Sequence, residues 1–292
     1  MELFRALGAL VETPRPELRE VAELLGLGSL PTRAAHGSLF LLQLYPYASV
    51  YLGAEGQLGG EARDRIAGFW RALGQTPPAE PDHLALMLGL HARLAELEAQ
   101  AGDGPERERW RHARWAFLWE HLLSWLPIFL TKLIDLAGDD GTADPFYAGW
   151  AVLLRDALRE EAKSLGSPDQ LPLHLREAPG LIDPRADAVQ DFLSSLLSPV
   201  RSGMILVRAD LARAARELGL GPRLGERRAM LATLLEQDAP SALGWLEKEA
   251  AAWAGKHGQD DHPAPQSALF WKHRAEAMAH LLADLRAEAQ SS

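Results

Sequence analysis

The sequence predicts an all-α protein, and three observations carry that prediction. Residues that suit a core recur at three- and four-residue steps: Leu84, Met87, Leu90, His91, Leu94 and Leu97; Phe146, Trp150, Leu153, Leu154, Ala157 and Leu158; and Ile66, Phe69, Trp70 and Leu73. No stretch sustains strand-type alternation between hairpin turns; Ala48–Leu52 comes nearest to a strand and is short. Helix punctuation supplies the third, because capping carboxylates and first-turn prolines precede several of these runs and glycines follow them.

Helical stretches are expected near residues 2–11, 15–26, 33–44, 59–74, 82–101, 105–123, 126–137 and 145–165, then 187–197, 206–218, 224–236, 239–256 and 266–288. With neighbours merged these form a multi-helix bundle of about ten or more helices with a helical C-terminal extension. Asp144 before Pro145 starts one helix, Asp238 before Pro240 another, and Asp82 is placed to cap the helix expected from His83. Stops fall at Gly26, Gly74, Gly138, Gly166 and Gly219. Prolines 168, 172, 179 and 184 make the next segment too proline-rich to be helical throughout. The expected organisation is a body over 1–165, a linker or covering loop over 166–186, and a C-terminal helical section over 187–292.

Composition narrows the function classes. A chain of 292 residues with 47% hydrophobic and 24% charged content can bury a large core and reads as globular rather than disordered. Without cysteine there is no disulfide, thiolate metal site or cysteine nucleophile. The absence of asparagine fits a thermophile or a GC-rich genome and says nothing about function. A net charge of −10 argues against nucleic acid and favours a basic partner. The apolar run from Leu122 to Leu130 is broken by Ser124 and Pro127, far short of the roughly 20 residues of a membrane span. The first residues mix acidic and basic side chains and lack an apolar signal region, so a cytoplasmic protein without membrane insertion is expected.

Two motifs stand out. Glu80, Pro81, Asp82, His83 and Leu84 form one; His121, Trp125, Pro127 and Phe129 form the other. On a structural reading, Asp82 is a cap, Pro81 sets a turn and His83 is a half-buried ring bonded to backbone. On a functional one, two carboxylates beside a histidine serve acid–base chemistry or hold a divalent ion. Known enzyme signatures are missing: there is no phosphate-binding G-x-x-x-x-G-K-[ST], no H-E-x-x-H and no G-x-S-x-G. The glycines at 26 and 28 and at 219, 221 and 225 lack dinucleotide-binding spacing, and read as turns. Asp260, Asp261 and His262 offer at most weak chelation, and a solvated loop explains them as well. No catalytic residue and no metal ligand is assigned.

The two motifs together, in this order and separation, resemble those of the TorD-like chaperones, a family that includes DmsD- and NarJ-type proteins. The stretch from Pro46, Tyr47 and Tyr51 through Phe69, Trp70, Leu73 and Gly74 is similar to the segment that precedes the signature there, and the resemblance covers about residues 1–165. It implies a helical, non-enzymatic chaperone. Such proteins bind the apo catalytic subunit of a molybdenum oxidoreductase of the DMSO-reductase type, often through its twin-arginine leader. They assist cofactor insertion and proofread export. Carried over by position, Tyr51, Trp70, Leu73, Pro81, Asp82, His83, His121, Trp125 and Pro127 line or shape a peptide groove. Carboxylates at Glu80 and Asp82 suit guanidinium groups, and Trp70 and Trp125 suit the apolar part of a leader. No tightly bound cofactor is implied, only transient molybdopterin guanine dinucleotide. Monomer and homodimer both stay open, as do two other readings: a metal-dependent hydrolase or nucleotide-processing enzyme built on Glu80, Asp82 and His83, and a permanent scaffold subunit.

The C-terminal section departs from the resemblance. Between Pro199 and Met230, seven arginines face Asp210, Glu217 and Glu226, a local balance of +4. Arg201, Arg208, Arg223, Arg227 and Arg228 form a candidate site for a pterin-nucleotide pyrophosphate or an acidic face of a client. A solvated helix face with i,i+4 partners explains the same residues.

Overall fold

Capping chemistry places the helices much as the sequence spaces them. In the computed structural model, which describes residues 2–138, 143–221, 225–259 and 263–291, Asp144 Oδ1 accepts from Phe146 N at 3.0 Å and opens Pro145–Leu165. Asp238 Oδ1 accepts from Ser241 N at 3.0 Å and opens Ala239–His257. Each leads a proline whose missing N–H is one the first turn leaves unpaired anyway. Among the described residues every regular element is helical: Glu2–Leu10, Pro16–Leu18 with Arg19–Leu24, Arg33–Phe40, Ala48–Leu52, Gly60–Ala72, Leu84–Gln100, Pro105–Ala116, Phe117–Leu122, Leu126–Gly138 and Pro145–Leu165 come first. Leu173–Arg176, Val189–Leu197, Pro199–Ser202, Arg208–Leu218, Arg227–Gln237, Ala239–His257 and Pro265–Ser291 follow. The protein is all-α.

Two local features add to the expected pattern. Ala48–Leu52, the stretch nearest to a strand in sequence, is a helix. Only one antiparallel bridge forms there, between Tyr47 and His83. Val50, Tyr51 and Leu52 are buried in succession, which a half-exposed strand does not allow. The helix expected over 105–123 is regular only to Ala116; Phe117–Leu122 is π-helical, a widened turn that recurs at functional sites.

The chain divides into two compact units. The first comprises the residues up to Ser49 together with Leu58–Pro172, and the second comprises Val50–Gln57 with the residues from Leu173 onward. In the first, Leu84–Gln100 packs against both Glu2–Leu10 and Pro105–Ala116, while Leu126–Gly138 lies on Pro145–Leu165. Leu7, Leu88, Leu94, Phe117, Leu118, Trp125, Phe129, Trp150 and Leu154 are fully buried, and burial of such side chains contributes roughly 1.5–3 kcal/mol each. Trp150 satisfies its indole by donating to Leu7 O at 3.0 Å.

In the second unit Ala239–His257 runs along Pro265–Ser291, which also carries Pro199–Ser202. The Val50–Gln57 stretch is held there by Ser198 Oγ, which donates to Gly53 O at 3.2 Å, and by Arg201 Nε, which donates to Ala54 O at 2.9 Å. His257 Nε2 donates to Gly203 O at 2.8 Å, with the Trp253 and Trp271 rings beside it. Among the described residues no single helix is long and apolar enough to cross a membrane.

Candidate functional site

The first motif is a pinned turn. Leu84 N donates to Pro46 O at 2.8 Å and Ala48 N to Asp82 O at 3.1 Å, so Pro46–Ala48 and Asp82–Leu84 lie antiparallel. Asp82 is buried, and its Oδ2 accepts from Ser49 N at 3.2 Å; Ser49 Oγ in turn accepts from Gly59 N at 3.1 Å. Here the expectation for the cap is corrected. The helix begins at Leu84 and its cap is His83, whose Nδ1 accepts from Ala85 N at 3.3 Å. Asp82 stands one residue before the N-cap position, and its Oδ2 accepts from the Ser49 amide instead. With Nδ1 accepting, the His83 proton sits on Nε2. Burial lowers the His83 pKa, against the opposing charges of Glu80, Glu12 and Asp82, so the ring is neutral near pH 7.

Glu80 is the exposed carboxylate of the motif. Tyr47 Oη donates to its Oε2 at 2.9 Å, and the Tyr47 ring packs edge-on to His83 with centroids 4.8 Å apart. Burial and the Glu80 bond push the phenol up to about 12, so Tyr47 stays a neutral donor. Pro81 is buried beneath this turn.

The second motif is built inward. Trp125 is fully buried and donates Nε1 to His121 O at 2.8 Å; Pro127 is buried in the first turn of Leu126–Gly138. These two shape a surface only from beneath. The His121 ring lies 5.3 Å from Phe69 and 5.4 Å from Phe117. Burial, with the charge of Arg65 second, lowers its pKa to about 4. Trp70 and Leu73 are half-buried at the end of Gly60–Ala72, and the buried Trp70 Nε1 has no hydrogen-bond partner among the described residues. Tyr51 is fully buried in the Val50–Gln57 stretch of the second unit.

One element touches both motifs. Arg63 of Gly60–Ala72 donates to Ala79 O at 2.9 Å beside Glu80, and Phe69 of the same helix packs on His121.

His121, and His257 in the second unit with its pKa also near 4, imply a pH dependence. Both are held neutral in the fold, whereas an unfolded histidine takes up a proton near 6.5. Stability is then fully present above about pH 6.5 and is lost as pH falls toward 4, by about 3 kcal/mol for each ring. Urea unfolding followed between pH 7.5 and 4.5 is expected to show falling midpoints. His257→Gln should flatten the slope for the second unit; an unchanged slope would refute this account.

A charged cluster that sequence reasoning missed lies within the first unit. Arg114 donates Nε to Glu161 Oε1 and Nη2 to Glu161 Oε2, each at 2.7 Å, and Nη1 to Glu98 Oε2 at 2.8 Å. The fully buried His91 meets Glu161 Oε1 through Nε2 at 2.7 Å. The signal was present: His91 occupies a core register position, and Glu161 continues the Phe146-to-Leu158 stripe three residues on.

The basic band is dispersed into structural bonds. Arg201 donates to Ala54 O and Gly180 O, Arg227 to Leu206 O, and Arg228 to Gln190. Arg213 pairs with Glu249 and covers the Trp245 ring. Arg208 opens the Arg208–Leu218 helix, and Arg223 lies outside the described residues, as do Asp260, Asp261 and His262. Among the described residues no group of three His, Asp or Glu side chains is placed to hold a metal ion. In the Glu80–His83 turn, one carboxylate serves a backbone amide, the other a phenol, and one imidazole nitrogen a helix cap.

Comparison with known proteins bears on the same region. The family model described as nitrate reductase delta subunit matches residues 6–131, which include both motifs. Two curated relatives, each named chaperone protein TorD, from Vibrio vulnificus strains YJ016 and CMCP6, are each 34% identical over 134 residues. That alignment takes in 44% of this chain and 59% of each relative, so the chain spans somewhat over half the length of the relatives it matches. On its two motifs, its helical body and these matches, the chain is similar through residues 6–131 to the TorD-like family.

Proposed function

We propose that this protein is a cytoplasmic maturation chaperone, not an enzyme, for the catalytic subunit of a molybdenum oxidoreductase. In this reading it binds the apo subunit, and the twin-arginine leader of an exported client, while the molybdopterin cofactor is inserted. The observation that carries it is the state of the Glu80–His83 turn within a TorD-like domain. Asp82 and His83 are occupied in holding the turn, which leaves Glu80 exposed, with Tyr47 as a neutral donor at its side. An exposed carboxylate on a rigid turn, beside the Tyr47 ring, suits a guanidinium joined to an apolar segment. The chain's net charge of −10 adds long-range attraction for a basic peptide. Any molybdopterin guanine dinucleotide contact is transient, and the arginines of the second unit that donate to backbone carbonyls are not free to form a pyrophosphate cradle.

The test has two arms. A fluorescence titration with a synthetic twin-arginine leader should give binding that weakens with salt and falls about fivefold in Glu80→Gln, the size of one exposed ion pair. The chaperone reading itself is tested by affinity capture from the native cell. Recovery of an apo molybdenum oxidoreductase catalytic subunit is expected; recovery of none, under conditions that retain apo-client, would overturn it.

A further inference from the structure

Pro105–Ala116 is fastened unlike the other helices. Among the described residues every other helix longer than two turns has buried side chains, and this one has none. Its indoles are shielded by neighbours on the same helix: Arg109 lies 5.2 Å over the Trp110 ring, and the His112 and Trp115 rings stack with centroids 5.7 Å apart. Between it and the end of Pro145–Leu165 an open cavity of about 240 Å³ is lined by Glu108, Arg111, His112, Trp115 and Leu165. Such a gap forfeits dispersion contacts on both walls. The helix starts at Gly104, with φ 126° and no side-chain cap. Its fastenings to the body are polar and lie toward the other end. Arg114 grips Glu161 and Glu98, Arg111 stands 3.9 Å from the same Glu98, and Trp115 Nε1 donates to Gly166 O at 3.0 Å. Immediately beyond comes the π-helical turn Phe117–Leu122, and the chain then bends by 50° into Leu126–Gly138.

We propose that Pro105–Ala116 is a hinged strap, which opens as one unit about the Phe117–Leu122 turn when the Arg114 latch lets go. A helix that buries no side chain loses little apolar burial by lifting away, so its opening lies at the low end of local unfolding. A latch of one guanidinium between two covered carboxylates makes the opening all-or-none, because Glu98 and Glu161 are poorly served once the cation leaves and gain by meeting water. The π-helical turn supplies the hinge, being a widened turn that interrupts the regular ladder beyond Ala116. Opening moves the turn that carries the second motif. Phe117 and His121 lie in it, and both pack on Phe69, with centroids 5.0 and 5.3 Å away. Release is therefore felt on Gly60–Ala72, the helix that touches both motifs.

The test is native-state hydrogen exchange on the full chain, followed by NMR, and leader binding enters none of its readouts. Amide protons of Glu108–Ala116 should share one rate, about tenfold or more above the slowest amides of Leu84–Gln100, with a smaller dependence on urea. The Trp115 indole proton should exchange with them, while that of Trp150, bonded to Leu7 O, stays slow. Arg114→Lys, which keeps the charge but not the fork, should raise the shared rate about tenfold and shift the His121 ring resonances. Trp115→Phe, which removes only the Gly166 bond, should raise that rate about fivefold. Rates that decline steadily from Glu108 to a slow Ala116 would mean fraying from the Gly104 end and would overturn the strap. Exchange as slow and as urea-dependent as that of Leu84–Gln100 would do the same. A shared rate unchanged in both variants would overturn the latch, and unmoved His121 resonances in Arg114→Lys would overturn the hinge.

Discussion

Arg114→Met is expected to lower the stability of the N-terminal unit by about 3–5 kcal/mol, the usual loss when one partner of a buried ion pair is removed. Arg114 is 12% exposed, and the two carboxylates it holds, Glu98 and Glu161, are 9% and 7% exposed. Methionine fills much of the same volume but leaves both acids covered with no cation between them. The effect should depend on pH with a definite sign. In the wild type, burial opposes ionisation of Glu161, but the hydrogen bonds from His91 and Arg114 outweigh it and hold the carboxyl at about 2. That contribution is present above the ordinary carboxyl range and is lost as pH falls from about 4.5 toward 2. In the variant, protonating Glu161 relieves the uncompensated charge. The gap between the two proteins should therefore be widest near pH 7 and narrow below pH 5. Arg114→Lys, which keeps the charge but not the bidentate fork, should fall between them. Urea unfolding at pH 7 and at pH 4.5 checks this, and a difference at pH 7 under about 1 kcal/mol would sink it.

Gly203→Ala should destabilise the C-terminal unit by about 3–5 kcal/mol, combining left-handed backbone strain with overpacking. Gly203 has φ 73°, and a β-carbon there would overlap Ala275 N and stand 2.7 Å from Trp271 O. Those are backbone atoms of the long Pro265–Ser291 helix, so nothing nearby can rotate away. The Gly203 carbonyl also takes the His257 proton, so displacement would loosen that bond as well. Gly219 is the matched control: φ is 66°, and a β-carbon would meet nothing within 4 Å. Gly219→Ala should cost about 1 kcal/mol, the conformational part alone. Thermal unfolding of the two variants side by side is the measurement, and equal losses would refute the close-approach argument.

These sites mark how far the sequence could be read. Helix positions followed from periodicity and caps, because an amphipathic stripe and an Asp-Pro start act within a few residues of chain. Pro145–Leu165 was legible to the residue for that reason. The candidate site was legible as a pair of motifs but not as an arrangement. Asp82 looks like a helix cap until Ser49, 33 residues away, claims its carboxylate and passes the cap to His83. Trp125 looks like an aromatic groove wall until the π-helical turn at Phe117–Leu122 and the bond to His121 O bury it. Arg201 and Arg227 of the basic band look like free cations until carbonyls at Ala54, Gly180 and Leu206 accept from them. For Asp82 and the arginines the competing partner is remote in sequence, and hydrogen-bond demand is satisfied by whatever the fold brings near; Trp125 instead bonds within its own turn.

By itself, then, the sequence determined the all-α class, most helix boundaries, the absence of cysteine chemistry, and the two motifs that resemble those of the TorD-like chaperones. These are properties of local spacing and residue type. Tertiary structure alone decided which polar groups are occupied and which are left to meet a partner. Gly203 and Gly219 show the reason most simply. Both are glycines with left-handed backbone at helix ends, yet one lies against another helix's backbone and the other in open space.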